Sequence, residues 1–117
     1  IVVEGVGGWL APISESLRVS AIPRHLQLPV ILVVGLKLGC LNHAQLTARA
    51  IRADGCELLG WIGNRIDPDL LHPKENLVTL NRSLAAPCLG VIAHGVEPIS
   101  AAASLRDAAD AVRELKP

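Results

Sequence analysis

Short apolar runs alternate with amphipathic stretches along the chain. The apolar runs are rich in valine, isoleucine and leucine and have the length of strands: residues 1–4, 28–35, 58–62 and 88–92. The amphipathic stretches carry apolar residues at helical spacing and are predicted to form helices over residues 44–53, 73–84 and 101–115. Strands that alternate with helices predict βαβ crossovers and a mainly parallel sheet. Because such crossovers are right-handed, we expect helices on both faces and a three-layer α/β/α fold.

Residues that favour helix ends support these boundaries. Asn42 is predicted to cap the first of the helices, and Pro73 lies in the first turn of the second, where its fixed φ is favourable. Ser100 is predicted to open the last helix. Pro23 excludes a long helix between residues 14 and 27, because a proline in a helix interior removes a hydrogen bond and clashes with the preceding turn.

The composition is that of one small domain with an aliphatic core. The chain has 117 residues, half of them are apolar, and its aromatic side chains are Trp9 and Trp61. Eleven basic and eleven acidic residues cancel, which argues against a nucleic acid or an anionic membrane as a partner held by bulk charge. The longest apolar run, residues 30–36, is too short to span a bilayer. Three widely spaced cysteines are typical of a reduced, cytoplasmic protein.

Ligands of such sheets bind beyond the carboxyl ends of the strands, so Glu4 at the end of the first predicted strand is a candidate. It is followed by Gly5-Val6-Gly7-Gly8. A carboxylate is a ligand for Mg²⁺, and glycine lets a phosphate approach the backbone. The alternative is a tight turn with an exposed carboxylate. The spacing is not the dinucleotide-binding fingerprint, because Leu10 occupies the position of its third glycine.

The loop from Gly35 to Asn42 joins the second predicted strand to the start of a helix. Free backbone N–H groups at a helix start attract a carboxylate or a phosphate, and Lys37 adds a full positive charge. An ordinary strand-to-helix loop with a solvated lysine is the alternative. The loop is not a Walker A motif, because no Gly-Lys-Ser/Thr sequence stands at the required spacing.

Two polar residues follow the last two predicted strands. Asn64 comes after the third strand, and its amide offers a donor and an acceptor side by side, which matches the edge of adenine. A turn asparagine is the alternative. His94 follows the fourth strand and is a candidate for lining a nucleotide pocket, whereas the four histidines together show no spacing for a metal. A catalytic thiolate at Cys40 is disfavoured, because no base lies near it in the sequence.

Several of these segments together resemble one known family, the dethiobiotin synthetases. The resemblance covers nearly the whole chain, and the matching segments follow each other in the same order: residues 3–9, 28–35, 37–40, 60–62 and 89–92. Pro12, Asn42, His43 and Asn64 also match. The resemblance implies a P-loop-type α/β domain that acts as a homodimer. It implies an enzyme that uses ATP, Mg²⁺ and CO₂ to close a cyclic urea on 7,8-diaminononanoate.

The resemblance also implies roles for individual residues. Those expected at ATP are Glu4, Gly5, Val6, Gly7, Asn64, Arg65, Ala93, His94 and Gly95, and Glu4 is also the expected Mg²⁺ ligand. Those expected at the carboxylate of the substrate, reaching across the dimer, are Lys37, Gly39, Cys40 and Asn42. No catalytic residue is predicted within this chain.

The chain departs from the family pattern at three points. The P-loop, with its phosphate-binding lysine and Mg²⁺-binding threonine, has no counterpart in the sequence. Ala93-His94 replaces the Pro-Trp of the family, and Arg65 stands where an acidic residue is common. We therefore expect residues 1–117 to be the C-terminal half of a single P-loop-type domain. Since phosphoryl transfer depends on positioning and charge neutralisation, these residues alone are predicted to turn over no ATP. With half of the sheet missing, the first predicted strand would expose an apolar edge, so these residues alone are also predicted to assemble or be poorly soluble.

Two other functions remain open from the sequence. One is a related P-loop amidation enzyme of cobalamin synthesis, which usually carries a glutamine-hydrolysing domain. The other is a partition-type P-loop dimer module without catalytic activity, which would have no affinity for a diamino fatty acid.

Overall fold

A parallel three-stranded sheet forms the centre of the molecule. The structure, a computed structural model, describes residues 1–115. Its strands are β1 (Val30–Gly35), β2 (Leu58–Asn64) and β3 (Cys88–Ile92), and they lie in the order β1-β2-β3. Both pairs are parallel, and the last residue of β1 is level with Asn64 of β2. The predicted parallel α/β fold is confirmed, and the bounds of β3 are those expected from the sequence.

Helices connect the strands and follow the last one. They are α1 (Ala21–Leu26), α2 (Cys40–Ala53), α3 (Pro73–Ser83), α4 (Pro98–Ala102), a 3₁₀ turn (Ala103–Leu105) and α5 (Arg106–Arg113). Pro23 lies within the first turn of the short α1, where the missing N–H costs nothing. None of the helices within residues 1–115 combines the length and the apolar character needed to cross a bilayer.

Two predicted helix starts are wrong. Helix α2 begins at Cys40, and its N-cap is Gly39 at φ 88°, a left-handed conformation that glycine adopts without strain. Asn42 therefore lies inside the first turn and does not cap it. The last predicted helix is not one continuous element, because α4, the 3₁₀ turn and α5 divide it. Glu97 precedes α4 without a side-chain cap, so Ser100 does not open that helix.

The two faces of the sheet bury clusters of very different size, which confirms the three-layer arrangement. Trp61 and Ile62 are adjacent in β2 and point to opposite faces, as the period of a strand requires. Trp61 is completely buried with apolar residues of α2 and α3 and of the loops that flank them: Leu36, Cys40, Ala44, Ala48, Leu70, Leu80 and Leu84. On the other face Ile62 packs with Leu89 and with Ala108 of α5.

The predicted strand at residues 1–4 is wrong. Residues 1–8 are exposed and have no regular secondary structure. A strand requires a hydrogen-bonded neighbour, and β1 pairs only with β2 in the described part of the chain. The chain is held to the rest of the fold at the next residue, Trp9. Its Nε1 donates to Asp54 Oδ2 at 2.7 Å, and its carbonyl accepts from the Ser20 N–H at 3.0 Å.

Candidate functional site

A groove lies at the carboxyl edge of the sheet, between the loops that follow β2 and β3. Its volume is about 640 Å³. Residues 64–66 form one wall, and residues 92–96 form another. The remaining wall is apolar and comes from the segment after β3, with Pro98, Ala101 and Leu105. The groove therefore combines two walls made of loop residues that include polar side chains with one apolar wall, which is the usual composition of a small-molecule site.

Backbone and side-chain hydrogen bonds hold the two polar loops together. The Arg65 N–H donates to the Ile92 carbonyl at 3.0 Å, and the His94 Nδ1 lies 3.1 Å from the Arg65 carbonyl. A carbonyl only accepts, so Nδ1 of His94 is the donor in this contact. The Asn64 carbonyl accepts from the Leu36 N–H at 2.7 Å, which joins the loop after β1 to the same edge.

The polar side chains of the groove have few partners of their own. The side chain of Asn64 makes no hydrogen bond to another described residue, so both ends of its amide remain available to a ligand. Nε of Arg65 is buried and has no hydrogen-bond partner among the described residues. None of the residues lining the groove is an aspartate or a glutamate. The groove thus offers donors and one positive charge without a negative counterpart.

The start of α2 is a second feature at the same edge. Its first amide is already used, because the Cys40 N–H donates to the Lys37 carbonyl at 3.0 Å. The Cys40 side chain is 5% exposed and belongs to the larger apolar cluster, so its thiol is not presented to solvent. Lys37, Gly39 and Asn42 are exposed. The backbone amides of the first turn remain without partners inside the helix, and Lys37 lies beside them.

The third predicted group, Glu4 to Gly7, does not line the groove. Glu4 is exposed, makes no hydrogen bond to a described residue and is not among the groove residues. Gly7 and Gly8 have φ values of 84° and 102°, so the segment turns sharply where the sequence places glycines. The structure therefore brings Asn64, Arg65 and residues 93–95 together and does not bring Glu4 to them. The expected roles of all these residues stay predictions.

Sequence reasoning missed two parts of the surface. The apolar wall of the groove could not be predicted from the sequence, because the break between α4 and α5 decides which residues face the groove. A second cavity of about 640 Å³ lies at the opposite edge of the sheet, between α1 and the turn from α2 to β2, with Arg24, His25, Cys56 and Glu57 in its wall. No cluster of three metal-ligating side chains occurs within residues 1–115.

Comparison with known proteins gives a consistent result. The family model described as AAA domain matches residues 1–99. An ATP-dependent dethiobiotin synthetase BioD from Xanthomonas oryzae pv. oryzae (strain PXO99A) is 55% identical over 92 residues, which are 79% of this chain and 41% of that protein. The protein of the same name from Aromatoleum aromaticum is 52% identical over 108 residues, 91% of this chain and 48% of that protein.

A third relative of this name, from Chromohalobacter salexigens, is 52% identical over 77% of this chain and 41% of its own length. The resemblance to dethiobiotin synthetases is thereby confirmed. The chain spans less than half the length of these curated relatives.

Proposed function

Since this chain belongs to the AAA domain family, whose model matches residues 1–99, we propose that it forms part of an ATP-dependent dethiobiotin synthetase. The observation that carries the proposal is the 52–55% identity to proteins of that name over 77–91% of the chain. The parallel sheet and the groove at its carboxyl edge support it, because ligands of such sheets bind there.

The proposed reaction closes a cyclic urea on 7,8-diaminononanoate. One amine attacks CO₂ and forms a carbamate. A carbamate oxygen then takes the γ-phosphoryl group of ATP, and ADP leaves. The second amine attacks the carbamoyl carbon and expels phosphate, so that the ring closes and protons pass to water. Each step joins groups that must be held in line, and such positioning is the main contribution of a protein to phosphoryl transfer.

The groove between the loops after β2 and β3 is the proposed site of the nucleobase. Asn64 has an unused amide there, which can donate and accept at the edge of adenine. Arg65 and residues 93–95 form the adjoining walls. The apolar side chains of Pro98 and Leu105 give the flat base a surface to pack against. The hydrogen bond between His94 and Arg65 holds these walls at a fixed separation.

Glu4 is the proposed protein ligand of Mg²⁺, and residues 4–7 are proposed to border the phosphates. Mg²⁺ bound to a nucleotide takes most of its oxygen ligands from phosphate and water and only one or two from carboxylates. One exposed carboxylate beside a glycine-rich turn fits this requirement. The metal would neutralise charge on the phosphates, and the part of Glu4 is to hold it with one oxygen.

The start of α2 is proposed to bind the carboxylate of the substrate. Lys37 supplies a positive charge, and the first-turn amides that follow Cys40, up to that of Asn42, point out of the start of the helix beside Gly39. Leu38 is 92% exposed between these residues, which supports the proposal that this surface faces a second copy of the chain in a homodimer. We further propose a cytoplasmic location, where ATP and CO₂ are both available.

The decisive experiment measures dethiobiotin formed by the full-length protein from 7,8-diaminononanoate, bicarbonate and ATP. We expect product in proportion to ADP released, and Asn64→Ala is expected to raise the KM for ATP about tenfold through loss of its hydrogen bonds. Asn81→Ala, at an exposed position of α3, is the matched control and should leave the KM unchanged. ADP release without product, or product that requires glutamine as nitrogen donor, would contradict the proposal.

Titration of the full-length protein with 7,8-diaminononanoate separates the two remaining functions. A dethiobiotin synthetase should bind this diamino fatty acid, whereas a partition-type module has no affinity for it. The 117 residues without further sequence are expected to release no ADP, because they contain no Gly-Lys-Thr loop. Turnover of ATP by these residues alone would overturn that expectation.

A further inference from the structure

The guanidinium group of Arg65 has no partner in the groove. Its Nε is buried and without an acceptor, and no aspartate or glutamate of the described residues forms a salt bridge with it. A buried donor without an acceptor is costly, and arginine can only donate. The backbone on both sides is fixed, since the Arg65 N–H donates to Ile92 and its carbonyl accepts from His94. The backbone that carries this side chain is therefore fixed at the groove, and the guanidinium has no acceptor among the described residues.

The hydrogen-bonding groups of Asn64 and Arg65 decide which bases the groove can bind. Adenine presents one acceptor and one donor at its N7 and N6 edge, whereas a purine with oxygen at position 6 presents two adjacent acceptors. At the N1 and position-6 edge, adenine has an acceptor and a donor and a 6-oxopurine has the reverse, so an asparagine amide serves either base by exchanging its oxygen and nitrogen. A guanidinium only donates, so it matches the N7 and O6 acceptors of the 6-oxopurine in full and only N7 of adenine. With no carboxylate in the groove, nothing opposes an oxygen at position 6.

We propose that Arg65 is a specificity-determining residue, and that it extends the base preference of the groove from adenine to 6-oxopurines. The inference rests on the proposed function, because it assigns the base preference of the same groove. Asn64 supports binding of both kinds of base, and Arg65 adds an interaction that only the 6-oxopurine receives in full. The protein should accordingly bind inosine triphosphate about as tightly as ATP.

Inosine triphosphate and ATP are the appropriate probes, since their bases differ only at N1 and at position 6. The experiment measures the dissociation constants of both nucleotides for the full-length protein and for Arg65→Met, which keeps a long side chain but removes every donor. We expect the ratio of the two constants, inosine triphosphate over ATP, to rise about tenfold in the variant, as expected for one charge-assisted hydrogen bond. Arg49→Met, at an exposed position of α2, is the matched control and should leave the ratio unchanged.

The outcomes separate this inference from the proposed function. If neither nucleotide binds, the proposed function fails and the inference fails with it. If ATP binds and Arg65→Met leaves the ratio unchanged, the inference alone is overturned. Arg65→Lys provides a second variant, because lysine keeps a donor and the charge but not the planar fork, and the ratio should then lie between those of the wild type and of Arg65→Met. Should neither variant fold, a wild type that binds inosine triphosphate more than about tenfold more weakly than ATP overturns it.

Discussion

The two tryptophans mark two regions that are held together in different ways. Trp61 lies in the middle strand, completely buried, with neighbours from both flanking helices. Trp9 lies in the N-terminal segment, partly exposed, and its one side-chain hydrogen bond goes to Asp54. The sheet around Trp61 fixes the three loops at its carboxyl edge through ladder hydrogen bonds. The segment before Trp9 has no such ladder, and Glu4 does not line the groove.

The difference shows what positions a site at a sheet edge. Asn64 is the last residue of β2, so its place follows from the register of three paired strands. Glu4 has a side chain and glycine neighbours that suit a ligand at the end of a strand. Because no paired strand carries it, however, its position is not fixed relative to Asn64 and the other groove residues. A site residue is positioned by the hydrogen bonds of its strand as much as by its own motif.

The largest effect on stability is expected at Trp61. Trp61→Ala should lower the free energy of unfolding by about 3–5 kcal/mol, because it leaves a large cavity in the main apolar cluster. Trp61→Phe should cost much less, since the phenyl ring fills most of the space and the variant removes Nε1, which is buried without a partner. Urea unfolding followed by circular dichroism measures both. Equal losses for the two variants would show that the cluster does not depend on the aromatic ring.

A smaller effect is expected at Trp9. Trp9→Phe keeps an aromatic side chain but removes the hydrogen bond to Asp54, so the free energy of unfolding should fall by about 1 kcal/mol. The N-terminal segment should also be cut faster by protease, since that bond is its side-chain connection to α2. Asp54→Asn should keep the hydrogen bond from Trp9, because the amide oxygen of asparagine still accepts it. A loss as large as that of Trp61→Ala would contradict the distinction between the two regions.

The smallest effect on stability is expected at Glu4. Glu4→Gln should change the free energy of unfolding by less than about 0.5 kcal/mol, because the side chain is exposed and makes no contact that the substitution would break. In the full-length protein the same change should raise the Mg²⁺ concentration needed for half-maximal activity about tenfold, while Glu15→Gln, also exposed in the N-terminal segment, should have no effect. If the Mg²⁺ dependence of Glu4→Gln were unchanged, the proposal that Glu4 binds Mg²⁺ would be wrong.

The sequence was sufficient for the elements whose signals are local. The run at residues 88–92 is preceded by Pro87 and followed by Ala93-His94-Gly95, and Pro73 begins α3 at a first turn, where proline is favourable. Strand β2 is two residues longer than expected, because Gly63 and Asn64 pair with both neighbouring strands. The side chain of Asn64 is nevertheless at the end of the strand, as predicted.

Features that depend on pairing between distant segments could not be predicted. Residues 1–4 have the composition of a strand, but composition does not provide a neighbour. The N-cap of α2 is Gly39 and not Asn42, because the left-handed backbone at Gly39 starts the helix earlier. The contact between His94 and the Arg65 carbonyl joins residues 29 positions apart, and only the register of β2 and β3 brings them together.

The central claim is that the loops after β2 and β3 hold the base of the nucleotide. Photolabelling of the full-length protein with 8-azido-ATP, followed by identification of the labelled peptide, tests it most directly. Label is expected in residues 64–66 or 92–98, and an excess of ATP should prevent it. Label that ATP displaces from the cavity at the opposite edge, around residues 24–29 and 54–57, with none in the groove, would contradict the claim.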